Sequence, residues 1–195
     1  MLGLPDRCDA RMADEDAELM RRSKAGDTGA FWQVAHRHRE MVYRLARGIV
    51  GSKDDAEDVV QEAFLKAFHA LDRYDTGREP TAWLRTIAVN CAVSMCKRKG
   101  RRHASLDSSR IAEVHGSDHT PEHYAVAGET WMRICTAMDS LSPQQRAVVT
   151  LSAFEDLAMT DVAETMGCAA TTAKTHLHRA RERLARALAD VTEED

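Results

Sequence analysis

The chain has 195 residues and a formal net charge of −4, so it is long enough for one or two small domains and is not basic overall. Any nucleic-acid-binding surface is therefore local, and the acidic remainder is available to other partners. The first residues do not form the apolar run of a signal peptide, and no stretch is apolar enough to span a bilayer. We therefore expect a cytoplasmic protein.

The chain contains five cysteines but no CxxC pair. Their odd number and their spacing favour small core residues over disulfides or zinc ligands, as we expect for Cys91, Cys135 and Cys168. The sequence also lacks a Gly-rich phosphate loop, a nucleophile motif and the ligand spacing of a catalytic metal. It therefore predicts neither an enzyme nor a bound cofactor.

The N-terminal half shows the apolar periodicity of several helices. Residues 1–13 lack this periodicity and are predicted to be a flexible arm. Asp27 and Ser52 are placed to cap the second and third helices. The predicted helices span 14–24, 30–50, 53–71 and about 80–99. This pattern indicates a helical bundle over residues 14–102.

The third predicted helix carries a row of acidic and amide side chains outside its apolar stripe. This row, the acidic helix surface, consists of Asp55, Glu57, Asp58, Gln61 and Glu62. Acidic helix faces are usually only solvated. The density of this one also fits a docking face, and charge alone does not decide between the two.

A polar loop with Tyr74 and Arg78 precedes the fourth helix, which carries Trp83, Arg85 and Asn90 and ends in a basic cluster. Aromatic rings on which bases stack, next to cations that follow phosphates, suit single-stranded nucleic acid. A core tryptophan beside a solvated basic turn is the alternative. The basic cluster includes Lys97 and Arg98.

Residues 103–125 are rich in Ser, His, Asp and Gly and are predicted to be a flexible linker between two domains. A second helical domain is expected over 126–190, followed by an acidic tail over 191–195. Ser142 and Gln145 form a capping-box pattern with Pro143 at the first helical position.

The C-terminal end of this second domain has the pattern of a helix-turn-helix. A short helix over 160–166 is followed by Gly167 and then by a longer amphipathic helix. The second helix of such a pair enters the major groove of DNA. An ordinary packing unit with a solvated basic face is the alternative. Its polar face presents Lys174, Thr175, His178, Arg179, Arg181 and Arg183.

Three blocks in order carry a resemblance to a known family: DAEDVVQEAF, AWLRTIAVN and HRARERL. With their surroundings, over 17–102 and 126–188, they closely resemble bacterial sigma factors of the extracytoplasmic-function (ECF) group. The resemblance implies an all-α fold, in which a sigma region 2 bundle and a region 4 helix-turn-helix are joined by the linker. It also implies a non-enzymatic subunit that directs core RNA polymerase to promoters and promotes DNA opening.

The resemblance assigns roles to the residues singled out above. It implies that the acidic helix surface docks on the clamp helices of the polymerase. The segment over 74–81, the capture loop, resembles the one that captures a flipped base of the minus-ten element, and Asn90 matches a position that helps to read that element. The other residues implied to contact minus-ten DNA are Tyr74, Arg78, Trp83, Arg85, Lys97 and Arg98. The last helix is implied to read the minus-thirty-five element. Lys174, Thr175, His178 and Arg179 match positions that contact bases or phosphates there, and Arg181 and Arg183 are implied to contact phosphates or to support the helix.

The family also implies control by an anti-sigma factor, often anchored in the membrane. Two other hypotheses stay open from the sequence. One is a sigma-like mimic that sequesters an anti-sigma factor and binds no promoter. The other is a helix-turn-helix transcriptional regulator, which leaves the N-terminal domain unexplained.

Overall fold

The computed structural model describes residues 7–106, 134 and 136–189, and every regular element in this part of the chain is helical. The all-α prediction is confirmed. The helices are α1 (Arg7–Lys24), α2 (Thr28–Val50), α3 (Lys53–His69), α4 (Pro80–Leu106), α5 (Pro143–Val149), α6 (Met159–Met166) and α7 (Ala170–Ala189). A 3-10 turn over Leu71–Arg73 follows α3. Most of the predicted linker, the acidic tail and Cys135 lie outside the described residues.

The helix starts follow the predicted caps. The Asp27 carboxylate accepts a hydrogen bond from the backbone N–H of Ala30 at 3.1 Å. Ser52 caps α3 after Gly51, whose φ of 80° ends α2 in the left-handed conformation. At α5, Ser142 and Gln145 make both hydrogen bonds of the capping box. Local sequence therefore fixes where these helices begin.

Two helices extend beyond their predicted limits. Helix α1 begins at Arg7, inside the predicted arm, and α4 continues to Leu106, inside the predicted linker. Both extensions contain Arg and Ala, which have high helix propensity. The prediction differed because it relied on an apolar stripe, which neither extension has.

A π-helical turn over Thr150–Phe154 continues α5 directly. The Ser152 hydroxyl donates to the carbonyl of Val148 at 2.7 Å, and Asp156 follows with a φ of 49°. A π turn inserts an extra residue into the helical repeat and is frequent at functional or strained positions.

The described parts of the two halves share one hydrophobic core. Phe31, Leu45 and Ile49 of α2 are fully buried in the same cluster as Val148 and Leu151 of the C-terminal half. Helices α2, α3 and α4 pack on one another, while α7 packs on α5 and α6. Helices α2 and α4 also contact α5, and α4 contacts α6.

The two halves approach closely at Gly48 of α2 and Thr150 of the π-helical turn. A Cβ atom on Gly48 would lie 2.8 Å from both Oγ1 and Cγ2 of Thr150. Glycine is therefore required for α2 to lie this close to the turn. Two ion pairs also join the halves, Arg44–Glu155 at 3.6 Å and Arg78–Glu164 at 3.4 Å.

Candidate nucleic-acid and partner interfaces

Three members of the acidic helix surface form ion pairs within the N-terminal half. The Lys99 ammonium lies 2.6 Å from the Asp55 carboxylate. Glu62 accepts hydrogen bonds from Lys66 and Arg98, and these bonds hold its pKa below the usual range. Glu57 forms an ion pair with Arg39 at 2.6 Å. Part of the surface therefore stabilises the bundle.

The other two members, Asp58 and Gln61, are exposed. Neither makes a hydrogen bond or an ion pair with another described side chain. Because the charge of Asp58 is uncompensated, this pair is the part of the surface that is ready to contact a partner.

An apolar groove of about 480 Å³ lies between α2 and α3, and Gln61 is one of its lining residues. Trp32 is 47% exposed and Leu65 is 53% exposed, although both are large apolar side chains. The Trp32 ring stacks on Phe68 with centroids 6.0 Å apart. Exposed apolar side chains next to a free carboxylate are typical of a binding surface. The sequence prediction missed both residues, although each lies outside the core stripe of its helix.

The capture loop is built around Tyr74, which is 1% exposed. Its ring lies 4.7 Å from the ring of Trp83, and its hydroxyl donates to the carbonyl of Arg78. Burial, followed by the nearby carboxylates of Asp75 and Glu79, raises the pKa of Tyr74 to about 12, so the phenol stays protonated as a donor. In this conformation the Tyr74 ring is not accessible to a base.

The other predicted minus-ten residues differ in accessibility. Asn90 and Lys97 of α4 are exposed, and so is Arg98, which pairs with Glu62. Trp83 and Arg85 are half-buried, and the Nε of Arg85 is buried without a hydrogen-bond partner among the described residues. Arg78 is 67% exposed and faces Glu164 of the other half. Helix α4 thus carries an open polar row that contains Asn90 and Lys97.

The helix-turn-helix forms as the sequence predicts. Gly167 adopts a φ of 63° between α6 and α7, a left-handed conformation that glycine takes without strain. Ala173 and Ala180 are buried on the inner face of α7. Five predicted DNA-contacting residues lie together on the exposed outer face: Lys174, Thr175, His178, Arg179 and Arg181.

Arg183, the sixth predicted residue of that set, makes contacts within the protein. Its guanidinium donates to the carbonyl of Ser140 at 3.1 Å and reaches Oε1 of Gln145 at 3.5 Å. Gln145 in turn belongs to the capping box of α5. Arg183 therefore ties α7 to the start of α5, whereas Arg179 makes no such bond within the described chain.

Two family models match the chain. The model for sigma-70 region 2 matches residues 34–102, and the model for sigma-70 region 4 matches residues 131–184. The first match contains α3 and most of α2 and α4. The second contains α5, α6 and most of α7. Helix α1 precedes both matches.

Individual relatives agree with these matches. The ECF RNA polymerase sigma-E factor of Escherichia coli K12 is 33% identical over 174 residues, which cover 86% of this chain and 91% of that protein. The ECF factor SigE of Mycolicibacterium smegmatis is 32% identical over 162 residues, which cover 82% of this chain and 63% of that protein. The sigma factor RpoE of Bartonella quintana, solved with the anti-sigma factor NepR, has a TM-score of 0.61 at 28% identity and covers 81% of this chain and 96% of that one.

The fold and these matches define a DNA-binding transcription protein with two helical regions, the second of which is a helix-turn-helix. The chain belongs to the ECF group of the sigma-70 family of RNA polymerase sigma factors. The resemblance seen in the sequence is therefore confirmed. Within the described residues, no helix has both the length and the apolar character that crossing a membrane requires.

Proposed function

We propose that this sigma factor binds core RNA polymerase, brings it to promoters with minus-ten and minus-thirty-five elements, and promotes DNA opening. The observation that carries the proposal is the outer face of α7, where Lys174, Thr175, His178, Arg179 and Arg181 are exposed together. The N-terminal half supplies the other functions. The Asp58–Gln61 pair and its groove bind polymerase, and the capture loop with α4 reads the minus-ten strand.

The same proposal covers control and location. The sigma factor RpoE of Bartonella quintana, which has a similar fold, has been solved with the anti-sigma factor NepR, and this supports an anti-sigma factor as a partner of this chain. The protein acts in the cytoplasm as a specificity subunit and catalyses no reaction of its own. Residues 14–102 form the polymerase-docking and minus-ten domain, and residues 126–190 form the minus-thirty-five domain.

Reconstituted transcription tests the proposal directly. The purified chain is added to core RNA polymerase on genomic fragments, and the start sites are mapped. If the same pair of motifs recurs upstream of the mapped start sites, the proposal is supported and the promoter sequence is known. If a folded chain yields no such starts, a sigma-like mimic becomes the better explanation, and capture of an anti-sigma factor is then the next measurement.

Arg179→Ala tests the assignment of α7. We expect it to weaken binding to duplex DNA with the minus-thirty-five element by about 1–3 kcal/mol. The matched control is Arg183→Ala, which removes the same charge from the same helix. Arg183 forms hydrogen bonds with Ser140 and Gln145. Arg183→Ala should therefore lower the free energy of unfolding more than Arg179→Ala does. If both variants lose the same amount of DNA affinity, the assignment of Arg179 to DNA contact and of Arg183 to internal contact is wrong.

Asn90→Ala tests the reading of the melted strand by α4. An exposed amide that pairs with a base edge contributes about 1–3 kcal/mol, so we expect promoter opening to slow by about tenfold. Opening is measured by permanganate reactivity of the melted thymines. Binding to core polymerase should not change, since the exposed Asn90 lies outside the groove and the acidic helix surface. A variant that fails to bind polymerase would show that α4 is placed wrongly.

A further inference from the structure

Helix α1 is attached firmly to the region 2 bundle, although the match to the region 2 model begins only at residue 34. Asp16 of α1 is 3% exposed and accepts hydrogen bonds from two side chains of α2. Arg37 lies 2.8 Å from one carboxylate oxygen, and the His38 ring lies 2.6 Å from the other. A buried carboxylate held by two partners fixes the position of α1 along α2.

The last turn of α1 reaches the capture loop. The ammonium of Lys24 donates a hydrogen bond of 2.8 Å to the backbone carbonyl of Tyr74, at the start of the loop. The bond is partly buried and joins residues 50 positions apart in the chain. A charge-assisted bond that is shielded from water is stronger than a surface pair.

Tyr74 holds the other end of the same loop. Its ring is buried against Trp83, and its hydroxyl donates to the carbonyl of Arg78. Between these two anchors the backbone N–H of Gly77 donates to the carboxylate of Asp75 at 2.9 Å. The loop is therefore fixed at both ends and turned in the middle, while residues 75–79 remain exposed.

We propose that Lys24 and Tyr74 are positioning residues that hold the capture loop in the shape that receives a base of the minus-ten strand. The proposal rests on the proposed function and assigns Tyr74 a different role in it. Tyr74 acts from the core and does not stack on DNA. Helix α1 becomes part of the promoter-reading apparatus, because it supplies the cation that fixes the first carbonyl of the loop.

The physical reason is preorganisation. A loop that is ordered only on binding loses conformational entropy at that moment, and this loss reduces affinity. A base that leaves the duplex has already lost its stacking energy, which the contacts in the protein site must offset. A site that is ordered in advance offsets more of this loss. The two anchors order the loop without occupying its exposed side. Their removal should therefore weaken capture of one base and leave the other contacts intact.

The test uses holoenzyme assembled with Lys24→Met or Tyr74→Phe. Arg21→Met is the matched control, since Arg21 lies in the same last turn and pairs only with the exposed Glu18 among the described residues. Each holoenzyme is titrated with the melted minus-ten strand of a mapped promoter, in which every position is made abasic in turn. For the wild type, one abasic position should cause the largest loss of affinity.

We expect Lys24→Met and Tyr74→Phe to bind the intact strand about fivefold more weakly. In these two variants the abasic change at that one position should cause almost no further loss of affinity. Arg21→Met should behave as the wild type. Weakening that is equal at all positions would overturn the proposal, because a purely structural defect acts in that way. A wild-type profile for Tyr74→Phe would also overturn it.

Hydrogen exchange in the free chain provides a test that does not depend on a promoter. Lys24→Met should speed amide exchange over residues 75–79 by about fivefold, while exchange in α2 and α3 stays as in the wild type. Unchanged exchange in the loop would overturn the proposal even if transcription succeeds. Failure of the wild-type chain to initiate transcription contradicts the proposed function separately, because the exchange measurement still tests whether Lys24 orders the loop.

Discussion

We expect the double substitution Asp58→Lys, Gln61→Lys to abolish holoenzyme assembly while the chain stays folded. Both side chains are exposed and make no bond to another described residue, so their replacement costs the fold little. A reversed charge against a surface that accepts a carboxylate costs several kcal/mol, which corresponds to a loss of affinity of at least about 100-fold. Fluorescence titration with core RNA polymerase measures the loss, and the thermal unfolding midpoint reports the fold.

Two further variants make this result specific. Gln33→Lys with Glu40→Lys introduces the same charge change at exposed positions of α2 that do not line the groove, and it should leave assembly intact. Glu62→Lys should instead destabilise the protein, because Glu62 is held by Lys66 and Arg98. If the Asp58 and Gln61 variant assembles with wild-type affinity, the acidic helix surface is only solvated, as acidic helix faces usually are.

The second large effect is expected at the contact between the halves. In a helix interior, Gly→Ala normally stabilises by about 0.5–1 kcal/mol. At Gly48 the added methyl would lie 2.8 Å from two atoms of Thr150, so the close contact should outweigh that gain. We expect Gly48→Ala to lower the free energy of unfolding by about 1–3 kcal/mol. Chemical denaturation measures this, and small-angle scattering should show a larger radius of gyration.

Gly100 of α4 offers a matched control, since a Cβ there has no atom within 4 Å and Gly100→Ala should be stabilising. Thr150→Ala provides a rescue. It removes both atoms at 2.8 Å and leaves only the Thr150 Cβ at 3.4 Å, an ordinary contact. The double variant Gly48→Ala, Thr150→Ala should therefore recover most of the lost stability. If the double variant loses as much stability as the two single variants added together, the Gly48–Thr150 contact is not the cause of the loss.

Much of the fold follows from local sequence. Ser142 and Gln145 form the capping box that their spacing predicts, and Gly167 takes the left-handed turn between α6 and α7. These features depend on residues a few positions apart, so periodicity and capping rules suffice to find them. The limits of α1 and α4 were less predictable because neither extension has an apolar stripe.

The roles of individual site residues were harder to predict, because contacts between distant residues decide them. Arg179 and Arg183 are equivalent by helical spacing, yet only Arg183 meets a carbonyl of Ser140, 43 positions away. Tyr74 occurs in a polar loop, which suggests an exposed ring, but the ring is buried and lies against Trp83. Trp32 lies outside the core stripe of α2, but the groove that it lines exists only once α3 packs beside α2.

The Gly48–Thr150 contact also sets a threshold for any partner that engages the two halves at separate places. If such a partner cannot reach both places while the halves are in contact, it binds only chains whose halves have come apart, and its apparent dissociation constant is the intrinsic one divided by the fraction of open chains. Each 1.4 kcal/mol of contact free energy raises that constant about tenfold. The contact is intramolecular, so its competition with the partner does not depend on protein concentration. A chain loosened at Gly48 would then bind that partner more tightly, although the chain itself is less stable.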